Sequence, residues 1–136
     1  MNIKRWFMAS AAAFVALGVL EFVINGILLS DLYKQTATVW RPEADIMRMM
    51  WLMWLSYAIA APVFAFVYTK GYEVGKGGIG QGMRFGFYLG VFLAASISLG
   101  FYAVLPIPGI LAVYWFIGGV AEYIVVGAVV GAIYKP

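Results

Sequence analysis

Residues 85–134 read FGFYLGVFLAASISLGFYAVLPIPGILAVYWFIGGVAEYIVVGAVVGAIY, and this stretch decides the fold. Its only charged side chain is Glu122. A helix needs about 20 apolar residues to cross the hydrocarbon of a bilayer, so the stretch holds two crossings rather than one. The break falls at Pro106-Ile107-Pro108-Gly109, where proline cannot continue a helix and glycine permits a tight turn. Two antiparallel neighbours are expected, at about 85–105 and 110–134.

The same pattern extends toward the N-terminus. Residues 6–30 and 49–69 form two more long apolar runs, the second with Pro62 inside it. Packing against neighbouring helices lets a membrane helix tolerate such a proline. The 136-residue chain is 65% hydrophobic and 11% charged, whereas soluble domains are roughly 45–50% apolar and about 25% charged. The expected architecture is all-α, a single polytopic integral membrane domain built as a four-helix bundle. The beginning, MNIKRWFMASAAAFVALGVL, combines a basic head with an apolar body, as a secretory signal does. Its apolar run continues to about Leu29 without an A-x-A site, so an uncleaved first span is expected.

Four crossings put both termini on one side. Lys4, Arg5, Lys70, Lys76, Arg84 and Lys135 gather there, against Lys34, Arg41 and Arg48 on the other. Basic residues favour the cytoplasmic face, which predicts cytoplasmic termini in a bacterial inner membrane and an outward first loop. Trp6, Trp40, Trp51, Tyr68, Tyr72 and Tyr134 fall where an interfacial aromatic belt would lie.

The absences are informative too. No cysteine excludes disulfides, iron–sulfur clusters and thiol nucleophiles; no histidine removes the commonest general base and the usual zinc and haem ligand. No cofactor is expected. A formal charge of +3, scattered along the chain, does not suit nucleic acid. The expected partners are the lipid bilayer and, through stripes of small residues, a second copy or a larger membrane complex. Gly82, Gly86, Gly90, Ala94 and Ser98 step by four along one helical face, and Gly119, Gly127 and Gly131 make a similar stripe in the last span. Small residues let helix backbones approach closely in lipid. The two stripes are expected to meet within the chain, with a homodimer seam as the alternative.

Two acids stand out because ionisable groups inside a membrane span are costly. Glu21 shares a face with Phe14, Gly18 and Asn25 in the first span; Glu122 lies near the centre of the last, after Trp115, Gly118 and Gly119. On antiparallel helices the two would sit at comparable depth. Like charges at low dielectric cannot both ionise cheaply, so the pair would hold a proton or take a cation. The alternative is that each acid only fixes helix register through a hydrogen bond to Asn25, Ser56, Tyr57, Tyr88 or Ser96.

Gly75, Gly77 and Gly80 match the spacing of a dinucleotide fingerprint, but that motif works between a strand and a helix, and no strand is predicted here. The segment KGYEVGKGGIGQGMR (70–84) is expected to be a flexible loop. Met47, Met50 and Met53 repeat at intervals of three, a spacing open to a soft-metal contact or to plain interface packing. Residues 33–41 are expected to anchor the first loop at the membrane surface or to cap the bundle, with Arg41 free to meet an anionic group.

Asn25, Tyr33, Trp40 and the Gly82-Gly86-Gly90 step resemble a group of small four-span bacterial membrane proteins of unknown function. That resemblance implies the fold and carries no activity. Small multidrug transporters share the size, the four spans and a first-span glutamate, but LEFVINGI (20–27) lacks the residues that surround theirs, and membership is not inferred. The leading expectation is an intramembrane acid site of Glu21, Asn25 and Glu122 that binds or moves a proton, a cation or a small amphipathic molecule. The alternatives are an accessory subunit of a membrane complex, or an enzyme using a buried glutamic acid as general acid on a lipid-like substrate.

Overall fold

The computed structural model describes residues 1–136, and every regular element is helical. They are α1 (Ile3–Glu21), a π-helical stretch (Phe22–Leu28), α2 (Ser30–Gln35), a 3-10 turn (Ala37–Val39), α3 (Glu43–Lys70), α4 (Gly78–Val104) and α5 (Gly109–Ile133). Four segments are long and apolar enough to cross a membrane: Ile3–Leu28, Glu43–Lys70, Gly78–Val104 and Gly109–Ile133.

The helices begin earlier than hydropathy suggests, because polar residues cap them. Asn2 accepts the Arg5 backbone N–H at 3.1 Å and starts α1. Glu43 and Asp45 occupy the first turn of α3, where the helix dipole favours negative charge. The largest correction concerns the glycine-rich segment, whose second half is helix, not loop. Gly78, Gly80 and Gly82 belong to α4. The Gln81 amide donates to the Glu73 carbonyl at 3.3 Å, and the Tyr68 hydroxyl reaches Gln81 Oε1 and the Gly78 carbonyl, both at 3.2 Å. In the short loop before α4, Glu73 pairs with Lys76 and Arg84. The Lys76 hydrogen bond, then the two positive charges, hold the Glu73 carboxyl below its usual range.

α4 and α5 form the closest seam. A Cβ built on Gly82 would run into the Gly127 carbonyl oxygen, and one on Gly127 into that of Gly82. Gly78 and Gly131 meet in the same way, and Gly86 lies against the Tyr123 carbonyl. The stripes of Gly82, Gly86, Gly90, Gly127 and Gly131 are therefore spent inside the chain.

At the end carrying the termini all four helices share one core. Ala9, Ala13 and Leu17 of α1 recur every fourth residue and face Ala61, Phe64, Ala65 and Tyr68 of α3 and Val126 and Val130 of α5, with Phe85 and Leu89 of α4 packed alongside. Trp6 donates its indole N–H to the Pro62 carbonyl at 3.1 Å, tying α1 to the proline turn of α3. Tyr68, Tyr72 and Tyr134 pack edge to face on one another rather than standing apart in a surface belt.

The loop end is looser. Leu29, Ile107 and Leu111 form a small core there. The first half of α3 is exposed nearly all round, from Met47 (64%) and Trp51 (61%) to Leu55 (46%). Trp54 is its main inward contact, lying over Gly18 and Phe14 and filling the space that the sequence leaves beside Glu21. Met47 and Met53 are exposed and Met50 is half-buried.

Candidate functional site

Glu21 closes α1, and the backbone then widens into π-helix. Such turns are rare and occur often at functional sites. Asn25 follows four residues on along the same face, and its amide Nδ2 donates to Glu21 Oε2. Asn25 Oδ1 in turn accepts the Tyr33 hydroxyl at 2.6 Å. The same hydroxyl accepts the Trp115 indole N–H at 2.7 Å. Every donor in this chain points toward the Glu21 carboxyl, which is its terminal acceptor. Burial raises the Tyr33 phenol above its ordinary value against the opposing hydrogen bond from Trp115, so its O–H remains a donor.

Glu122 reaches the site from α5. Its Cα lies near mid-helix, whereas Glu21 sits roughly 8 Å beyond the centre of its own span toward the loop end, at 1.5 Å per residue. Helical side chains lean toward their own N-terminus. Because α1 and α5 run antiparallel, Glu21 leans down toward Glu122 and Glu122 leans up toward Glu21. The two carboxyls come within hydrogen-bonding reach of one another. Two ionised carboxylates at that separation repel, and they can share a hydrogen bond only when one of them carries a proton. Glu122 is only 6% exposed, and its Oε1 is buried with no hydrogen-bond partner.

Both acids line one cavity of about 400 Å³. Gly118 and Gly119 keep its α5 wall low; Ile97, Phe101 and Leu105 supply the α4 side, and Trp40 and Trp115 close the loop end. Trp40, Trp115 and Phe101 form an edge-to-face run with ring centres 6.1 Å apart at each step. Ile97 and Phe101 are each about half exposed, so the cavity opens onto the apolar flank of α4. No lysine or arginine lines it. The acids meet only as a pair, and nowhere do three carboxylates gather as a divalent cation's oxygen shell demands.

Of the five hydrogen-bond partners considered for a register role, Asn25 alone bonds to an acid. Ser56 and Ser96 bond back to their own helices at Met53 and Phe92, and Tyr88 is exposed. Of the two placements expected for residues 33–41, the cap is the one seen: α2 and the 3-10 turn fold the loop over the bundle, and Tyr33 and Trp40 turn inward. The spacing of aromatics in residues 33–41 is the signal that bears on this. The π-helical turn has only Asn25-Gly26, two weak helix formers, to announce it.

Tyr33→Phe is expected to strand the Trp115 N–H and Asn25 Oδ1 together. Leaving buried polar groups unpaired costs about 1–3 kcal/mol each. Thermal unfolding in detergent should show a midpoint several degrees lower, with altered tryptophan emission; coincidence with wild type would mean that the relay contributes nothing.

No family model matches the chain, and neither a curated protein nor a solved structure matches it.

Proposed function

We propose that the chain is a multi-pass protein of a bacterial inner membrane, its termini cytoplasmic, and that the Glu21–Glu122 pair is a proton-exchanging site that binds or moves a small molecule. The observation carrying this reading is the meeting of two carboxyls in one cavity, with a buried Glu122 oxygen left unpartnered. A carboxyl with only a register role would have its hydrogen bonds completed, because an unmade buried bond costs stability. Here both acids line a cavity of ligand size. The basic bias toward the terminal side supports the orientation. A proton held between the acids leaves when they ionise and returns when they are emptied, which links occupancy to proton movement.

Infrared difference spectra of the reconstituted protein test the site directly. A protonated-carboxyl band should be present and should weaken as the pH rises. Glu122→Gln and Glu21→Gln should each remove or displace it while the bundle stays folded. Identical bands in wild type and both variants would end the proposal.

A second reading, an accessory subunit of a membrane complex, is favoured by one feature. The loop-end half of α3, apolar beyond Arg48, is exposed on nearly every side, and neither α4 nor α5 packs along it. A stable, monodisperse protein in mild detergent would count against that reading.

A further inference from the structure

The chemistry left unused in the cavity identifies what it accepts. Its donors are largely committed: Trp115 to Tyr33, Trp40 to Thr36 at 2.9 Å, and one amide hydrogen of Asn25 to Glu21. Only the second Asn25 hydrogen and the Tyr123 hydroxyl remain among the lining side chains. The open valences are acceptors on the carboxyls of Glu21 and Glu122, which both line the cavity. An anion would face two carboxyls and no basic residue. A neutral, purely apolar guest would make no use of the two carboxyls.

Around the acids stand Trp40, Phe101, Trp115 and Tyr123. Aromatic faces attract cations through the ring quadrupole, most strongly where water is excluded, and tryptophan is the best of them. A small, strongly hydrated metal ion gains little from such walls and would need more oxygens than a pair of acids provides.

We infer that the ligand of this cavity is a lipophilic organic cation, an aromatic or quaternary ammonium compound, held between the Glu21 and Glu122 carboxyls and the aromatic wall of Trp40, Trp115 and Phe101. The inference rests on the proton-exchanging site proposed above and adds the substrate class. It also assigns Phe101 as a specificity-determining residue, since that ring lines the cavity and stands at its opening onto the α4 flank. The cation takes the place of the shared proton, so its binding strengthens as the pH rises and the pair gives that proton up.

The test uses the full chain in lipid nanodiscs, with empty nanodiscs subtracting partition into lipid. The probes are tetramethylammonium, benzyltrimethylammonium and benzyltributylammonium, each beside its uncharged carbon isostere, followed by equilibrium dialysis at about pH 8 and about pH 6. At least one cation of the series should bind tenfold or more tightly than its neutral isostere, and more weakly at the lower pH. The Glu21→Gln, Glu122→Gln double variant should lose at least tenfold for the cation. Phe101→Leu should lose about threefold or more for the cation with little change for the isostere, as expected for loss of a cation–π contact. Equal binding of the neutral isosteres, still sensitive to the acids, would overturn the cation assignment and leave the proton site standing. Cation binding indifferent to both acids, or no binding across the series, would overturn the inference. Absence of the pH-dependent infrared band in the wild type, or its persistence unchanged in both acid variants, would instead overturn the underlying proton site, so the two failures are distinguishable.

Discussion

Glu122→Leu should produce a bundle that melts higher than wild type and no longer exchanges a proton at the site. Glu122 is only 6% exposed and its Oε1 has no partner, so the wild-type side chain carries an unrelieved desolvation cost. Such a group costs about 1–3 kcal/mol, while the hydrogen bond it shares with Glu21 returns roughly 1 kcal/mol. Leucine is similar in size and brings no polar atom. A net gain of about 1 kcal/mol follows, read as a rise of a few degrees in the detergent unfolding midpoint. An acid present only to fix register predicts the opposite sign, because its removal would loosen the packing between α1 and α5. A lower midpoint for Glu122→Leu, with the infrared band intact, would therefore favour the structural role. Function held at the expense of stability is common where a site needs a polar group that the fold does not satisfy.

Gly82→Leu should be the most damaging single change outside the acid site. The position leaves no room even for a methyl group, because a Cβ there meets the Gly127 carbonyl and approaches Gly131 Cα at 3.1 Å. Those atoms are backbone, so relief requires α4 and α5 to move apart. Overpacking a tight contact costs about 1–3 kcal/mol, and more when main chain must shift. The neighbouring Gly78–Gly131 and Gly86–Tyr123 contacts would open with it. The expected result is loss of monodisperse protein after detergent extraction. Gly100→Ala is the control, since nothing lies within 4 Å of a Cβ there. It should be neutral or stabilising by up to about 1 kcal/mol from helix propensity. Equal behaviour of Gly82→Leu and Gly100→Ala would show that the seam does not hold the bundle together.

Several features were legible before any coordinates. The long charge-poor runs mark helices able to cross a membrane, because the requirement is local: enough consecutive apolar residues, bounded by charge or proline. The Pro106–Gly109 reversal made α4 and α5 neighbours for an equally local reason. Glycines stepping by four announced a close-packed face, though not which helix would fill it. Helix starts were less legible, since caps such as Asn2 and the Gln81 contacts act through single hydrogen bonds that hydropathy does not register.

Glu21 and Glu122 are a hundred residues apart, and the sequence by itself determined only that each is an acid inside an apolar run. Their meeting was decided by tertiary structure. Antiparallel packing tips the two side chains toward one another, and the first loop folds inward to deliver Tyr33 and Trp40. Hydropathy is a sum over neighbours in the chain, whereas the cavity depends on how helices lean in space, and no local pattern encodes that.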